Sequence, residues 1–370
     1  MFDFSVTKEH LSFGYPIFSL FLYIFIYSYF KRRNYLQYNN YRKNNLLWFY
    51  MFIFSIAAFY DGDFYHYMDI VQNFSFDNLS HLEIIYTPII YFVERNYLLF
   101  RIIVWGGALL LTTYIFKRLK YETLYVYLYV FFILYIIRFA YVRAALSFAI
   151  FYCGLSYLIK QSNYKYLSYL LGIVLIYLST FFHNSAIILV AMTILLFVPL
   201  NRKLLISFVL LLPVMYILFK DFFFYLLSRD DLGTDGVVSN KLVRYTEGDM
   251  EKKGSGEILM LLGEIITFYG IYIYILIDYL KKNYQDKVLI CCYKIVFGIL
   301  FVAFFLFMLG TGSSYLFPRI MEMAYIPMAI IVGRSYELGY MKQRALRKIL
   351  YVGFVVTVIR LSYSVYLTVL

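Results

Sequence analysis

Apolar stretches alternate with short polar connectors along nearly the whole chain. The continuous apolar runs fall at 13–30, 46–60, 98–116, 122–137, 144–159, 166–182, 184–200, 204–219, 258–277, 288–309, 320–333 and 349–367. A hydrocarbon layer about 30 Å thick needs about 20 apolar residues at about 1.5 Å of helical rise each. The shorter runs meet that length with flanking aromatic residues or local thinning of the bilayer. The pattern predicts an all-α polytopic membrane protein of about 12 transmembrane helices. No soluble domain, Pro-rich linker or internal repeat interrupts it, so residues 1–370 read as a single transmembrane domain.

Charge then sets the sidedness. One set of alternate connectors holds Lys31, Arg32, Arg33, Arg42 and Lys43, then Lys117, Arg118 and Lys120, then Lys160 and Lys165. The same set continues with Arg202 and Lys203, Lys281, Lys282 and Lys287, and Arg334, Lys342, Arg344, Arg347 and Lys348. The short segments of the other set hold only Lys8, Arg95, Arg138, Arg143 and Arg319. The positive-inside rule assigns the first set to the cytoplasm and both termini to the outside. The basic cluster Lys31-Arg32-Arg33 follows the first apolar run instead of preceding it, so that run reads as a retained anchor and not a cleaved signal peptide.

Composition agrees: 63% of the residues are hydrophobic and only 15% charged, outside the balance of a soluble domain. The formal net charge of +12 suggests nucleic acid, but Lys and Arg here punctuate apolar runs and build no solvated basic face, which excludes that partner. Cys153 and the pair Cys291-Cys292 fall inside predicted helices and form no disulfide framework. The 43 Tyr and 38 Phe divide between an interfacial belt and compositional bias, with some external rings placed to stack on sugars.

Two external loops stand out by length. Residues 61–97 begin with Asp61-Gly62-Asp63-Phe64-Tyr65-His66-Tyr67 and contain an apolar stretch from Ile84 to Val93, too short to span, which reads as an interfacial or re-entrant helix. Residues 220–257 carry mixed charges, including Arg244, and read as a mobile external cap.

Ionisable groups at membrane depth are costly, so each is a candidate functional residue, with pairing to a neighbouring helix as the alternative. Ile137-Arg138-Phe139-Ala140-Tyr141-Val142-Arg143-Ala144-Ala145 places two guanidinium groups at an outer turn, and the small residues after Arg143 allow close helix packing. A planar, permanently charged fork suits phosphate oxygens. The competing role is an interfacial anchor or an ion pair with Asp61, Asp63 or Glu94. His183 in Phe181-Phe182-His183-Asn184-Ser185-Ala186 is a capping residue or a base, and the four His show no zinc spacing. Arg319 and Glu322 stand close enough to bridge within one turn, and Arg101, Glu264 and Arg360 add charges in the outer halves of other helices.

Together these segments resemble the Wzy-type polysaccharide polymerases, in particular their EpsG-like branch. The resemblance rests on Asp61-Gly62-Asp63-Phe64-Tyr65-His66-Tyr67, Glu94-Arg95-Asn96-Tyr97, Arg143-Ala144-Ala145-Leu146-Ser147, Phe182-His183-Asn184-Ser185-Ala186 and Arg319-Ile320-Met321-Glu322-Met323-Ala324-Tyr325, in that order and on one side. It spans residues 60 to about 330, while residues 220–257 match nothing in that pattern.

The resemblance implies a glycosyltransferase with a GT-C-like fold in the bacterial cytoplasmic (inner) membrane, its active face outside. It would join oligosaccharide repeat units carried on undecaprenyl diphosphate into a surface polysaccharide, without metal or other cofactor. Implied partners are that lipid-linked oligosaccharide, membrane lipid and a chain-length regulator protein. On this reading Arg143 and Arg319 hold the diphosphate, while Arg138, Arg244, Tyr67 and Glu322 contact substrate. Glu94, Asp63 and His183 compete for the role of base. An O-antigen-ligase-like transferase, or a flippase or exporter of lipid-linked sugars, are the alternatives. Transporters generally place ionisable groups near the midplane, whereas these gather toward one face.

Overall fold

A computed structural model describes residues 8–32, 41–57, 63–74, 83–119, 124–136, 142–160, 164–198, 286–308 and 320–369, with positions 201, 214, 217–218, 270–271, 274 and 277 between them. All regular structure among these residues is helical. The helices are α1 (Lys8–Arg32), α2 (Tyr41–Ala57), α3 (Asp63–Gln72), α4 (Thr87–Phe92), α5 (Tyr97–Leu119), α6 (Leu124–Tyr135), α7 (Val142–Ile159) and α8 (Lys165–Phe182). They continue as α9 (Ala186–Met192), α10 (Lys287–Met308), α11 (Tyr325–Glu337) and α12 (Gln343–Val369). A 3-10 turn, Ile84–Tyr86, leads into α4, and another, Thr193–Phe197, follows α9. The expected runs 204–219 and 258–277 lie almost wholly outside the described residues.

Two helices among the described residues are long and apolar enough to cross a bilayer unaided, Tyr97–Leu119 with 23 residues and Lys165–Phe182 with 18. The stretch from Ile84 to Val93 does not span: six residues of α4 rise only about 9 Å. Pro88 sits in the first turn of α4, where its missing N–H removes no helical bond. Near the C-terminus, the helical turn 320–322 breaks at Met323 and Ala324 before α11 begins. Pro327 supplies the reason, because its ring disfavours a continuous helix four residues upstream.

The chain forms two compact units, one made of Met1–Ile187 with Ala329–Leu370 and the other of Ile188–Met328. In the first, α6 is buried on nearly all sides, from Tyr125 through Ile133, as a helix apolar all round should be. Tyr23 of α1 stacks against Phe354 of α12 and meets Phe54 of α2 and Phe132 of α6, at ring separations of 5.8, 6.0 and 5.4 Å. Its hydroxyl donates to the Ile133 carbonyl at 2.8 Å, satisfying a polar tip in an apolar setting. Much of the aromatic excess is therefore helix-packing material.

Helix α7 packs along both α5 and α8. Gly154 and Gly172 let the backbones of α7 and α8 approach until a methyl group on Gly154 would lie 2.7 Å from the Gly172 carbonyl oxygen. Ser147 of α7 adds a bond to the Ser179 carbonyl of α8 at 2.8 Å. The opposite face of α8 exposes Tyr166, Leu170, Ile173, Val174 and Tyr177, a surface suited to lipid. At the basic ends, Arg118 donates to the Lys160 carbonyl at 2.7 Å, and Tyr127 donates to Glu337 at 2.8 Å.

In the second unit, Lys294 of α10 is 9% exposed and donates to the Leu196 carbonyl at 2.8 Å. It thereby covers one of the open carbonyls at the end of the 3-10 segment.

Candidate functional site

The second residue of α7 is the centre of a polar cluster inside the first unit. The guanidinium of Arg143 donates through Nε and Nη2 to the Tyr67 hydroxyl oxygen at 2.9 and 2.5 Å. Through Nη1 it donates to Oε2 of Glu83 at 2.8 Å, closing an ion pair. The charge also lies 4.8 Å from the centre of the Tyr67 ring, within cation–π range. Side-chain exposures of 16% for Arg143 and 14% for Glu83 leave the pair largely desolvated yet partly open at the molecular surface.

Three chain segments hold this cluster. On α3, Tyr67 shares a face with the buried Ile70, Val71 and Phe74, one and two turns along, so burial of that apolar stripe sets the direction of the Tyr67 side chain. In the 3-10 turn, Tyr86 is fully buried between Phe100 of α5 and Phe182 of α8, with edge contacts at 5.8 and 5.7 Å. Its hydroxyl donates to the Arg143 carbonyl at 3.2 Å, and its backbone N–H donates to the Glu83 carbonyl at 3.0 Å. Burial, with the Glu83 carboxylate beside it, holds the Tyr86 hydroxyl well above the usual phenol range, so it remains a donor. On α7, Ala144 and Ala145 are buried behind Arg143, which seats the helix start tightly.

A second guanidinium lies in the second turn of α5. Arg101 is 1% exposed and donates to the Ser55 carbonyl of α2 at 2.9 Å and to the Tyr97 hydroxyl at 3.4 Å. It holds the end of α2 against α5.

The other sequence candidates take separate places. Glu94 ends α4: it and Arg95 adopt left-handed backbone angles, φ 51° and 60°. The Arg95 N–H reaches the Ile90 carbonyl and the Glu94 N–H the Tyr91 carbonyl, the paired bonds of a Schellman stop, and the Glu94 side chain is exposed. His183 ends α8 with extended backbone. Its Nδ1 accepts the Ser185 N–H at 3.2 Å and a short bond from the Ser185 hydroxyl, which places the ring proton on Nε2. The ring packs edgewise on Phe148 at 6.3 Å. Asp63 is the first residue of α3, its side chain outside the described set. Glu322 is 4% exposed in the helical turn before α11, within the second unit. Arg138, Arg244 and Arg319 lie outside the described residues.

Of the residues read from sequence, Tyr67 and Arg143 are therefore brought together. Arg143 does form an ion pair, but with Glu83, a residue outside the set Asp61, Asp63 and Glu94. The available signal was position: Glu83 is the charged residue that opens the apolar stretch of the 61–97 loop.

The arrangement is a guanidinium fork at the start of a helix, held by a phenol hydroxyl and a carboxylate, a donor set of the kind that suits anionic oxygens. No curated protein and no solved structure matches the chain. The EpsG family matches residues 60–369, a span that takes in Tyr67, Glu83, Arg143, His183 and Glu322 together with every described helix from α3 to α12. This helical membrane protein belongs to the EpsG family.

Proposed function

We propose that the chain is a polysaccharide polymerase that joins undecaprenyl-diphosphate-linked oligosaccharide units at the outer face of the cytoplasmic membrane, within a GT-C-like bundle of about 12 membrane helices. The family supports a polymerase-type function in polysaccharide synthesis. The observation that carries the reading is the Arg143 guanidinium, held by Tyr67 and Glu83 at the end of α7 that charge counting assigns to the outside.

As the sugar C1–O bond breaks, the departing lipid diphosphate gathers negative charge. Preoriented donors in a poorly hydrated pocket stabilise that charge without reorganising. Arg143 and Arg319 serve as these donors, with Arg138, Arg244, Tyr67 and Glu322 in substrate contact and no metal in the step. An outer carboxylate or imidazole takes the acceptor proton, for which the sequence offers Glu94, Asp63 and His183.

Purified protein in lipid vesicles should lengthen lipid-linked repeat units with no nucleotide sugar added. Loss of one preorganised donor costs about 10²–10³ in rate, so Arg143→Ala should abolish the ladder while the protein remains folded. Full-length polymer from Arg143→Ala overturns the assignment of Arg143. A deletion strain that leaves no unit on the final carrier indicates a ligase, and one that accumulates units facing the cytoplasm indicates a flippase.

A further inference from the structure

Glu83 occupies the place on Arg143 that a phosphate oxygen would take. Its Oε2 accepts from Nη1 at 2.8 Å, on the same guanidinium whose Nε and Nη2 both donate to the Tyr67 hydroxyl oxygen. The pair still reaches solvent, so an anion can arrive there. The segment beneath is fixed, because Tyr86 is locked between Phe100 and Phe182 and ties back to Glu83 through the backbone. A carboxylate released from Arg143 therefore stays within one side chain's reach of whatever replaces it.

We propose that Glu83 is the base of the transfer, kept in place by Arg143 until substrate arrives; this rests on the polymerase reading above. The incoming diphosphate takes the Nη1 donor from Glu83, an exchange of one anion for another that keeps the guanidinium neutralised. Like charge then drives the carboxylate off the diphosphate and toward the acceptor. The acceptor hydroxyl gives its proton to Glu83 as its oxygen bonds to C1 of the donor sugar. The C1–O bond to phosphate breaks, and its electron pair leaves with the lipid diphosphate on Arg143. Glu83 passes the proton to water and closes again on Arg143 once the lipid departs. Geometry favours Glu83 over two of the three residues named above: the Glu94 carboxylate is exposed in a helix-ending turn, and Nδ1 of His183 already accepts from Ser185, while the Asp63 side chain lies outside the described residues.

Glu83→Gln tests this, since the amide oxygen still accepts from Arg143 but cannot take a proton. The full chain in vesicles is given undecaprenyl diphosphate as the binding probe, and the lipid-linked oligosaccharide fraction of a deletion strain as substrate. The expected result is undecaprenyl diphosphate binding as tight as wild type or tighter, with polymerisation lowered at least about 100-fold. Polymerisation within threefold of wild type overturns the proposal, as does a loss of probe binding in step with the loss of polymer. Where Glu83→Gln fails to fold, Glu83→Asp replaces it: kcat lowered with KM unchanged supports the base, and KM raised with kcat unchanged overturns it. A wild-type protein that neither binds the probe nor lengthens the units sinks the polymerase reading itself.

Discussion

Two neighbours define what Arg143 can do. Replacing Tyr67 by Phe keeps the ring under the guanidinium and removes the oxygen that Nε and Nη2 both address. A lost charge-assisted hydrogen bond is worth about 1.5–3 kcal/mol, so polymerisation should fall by about tenfold or more at unchanged protein level. An unchanged initial rate of ladder growth would instead assign Tyr67 a stacking role alone. Glu94 makes the contrasting case. Its left-handed backbone costs a residue with a Cβ about 1 kcal/mol that glycine escapes, so Glu94→Gly should raise the unfolding temperature slightly and leave polymerisation intact. Loss of polymer in a stable Glu94→Gly protein would put that carboxylate back into the reaction.

At the scale of elements, the α7–α8 contact decides where Arg143 stands. A methyl group at Gly154 would meet backbone atoms, the Gly172 oxygen at 2.7 Å and the Ile176 nitrogen at 2.9 Å, and neither can swing aside like the tip of a side chain. Gly154→Ala should therefore cost about 1–3 kcal/mol and lower both thermal stability in detergent and polymer yield. Gly270→Ala, with nothing within 4 Å, is the control and should change neither. This level was largely legible in the sequence. The run at 98–116 became α5 over Tyr97–Leu119, the run at 166–182 became α8 over Lys165–Phe182, and the small residues after Arg143 did mark a close-packed helix start. Periodicity and run length are local properties, and a helix needs little more to be seen. The Arg143–Glu83 pair was not legible, because it joins residues 60 positions apart and only the folding of the 61–97 loop brings them together. The helix stop at Glu94 was hidden for a related reason. Charge beside a membrane span marks a carboxylate as interesting, while its use as a helix stop depends on backbone angles that a residue list does not carry.

For the whole molecule, sidedness is the property on which the chemistry depends. Counting basic connectors puts Lys117, Arg118, Lys160 and Arg334 on the cytoplasmic side. Within the first unit, the bonds from Arg118 to Lys160 and from Tyr127 to Glu337, and the approach of Lys31 to the Tyr351 ring at 5.8 Å, gather those ends together. The chain passes from them through α7 or α8 to reach Arg143 or His183. Cysteine labelling in intact cells checks the assignment, and the native thiols interfere little: Cys153 and Cys292 are buried, and Cys291 can be replaced by Ser. Glu94→Cys, on an exposed turn, should react with a membrane-impermeant maleimide added to whole cells. Lys342→Cys, exposed just before α12, should react only after permeabilisation. The reverse pattern would turn Arg143 toward the cytoplasm, where nucleotide sugars are available as donors and a lipid-linked donor loses its rationale. The orientation experiment therefore tests the proposed substrate as well as the topology.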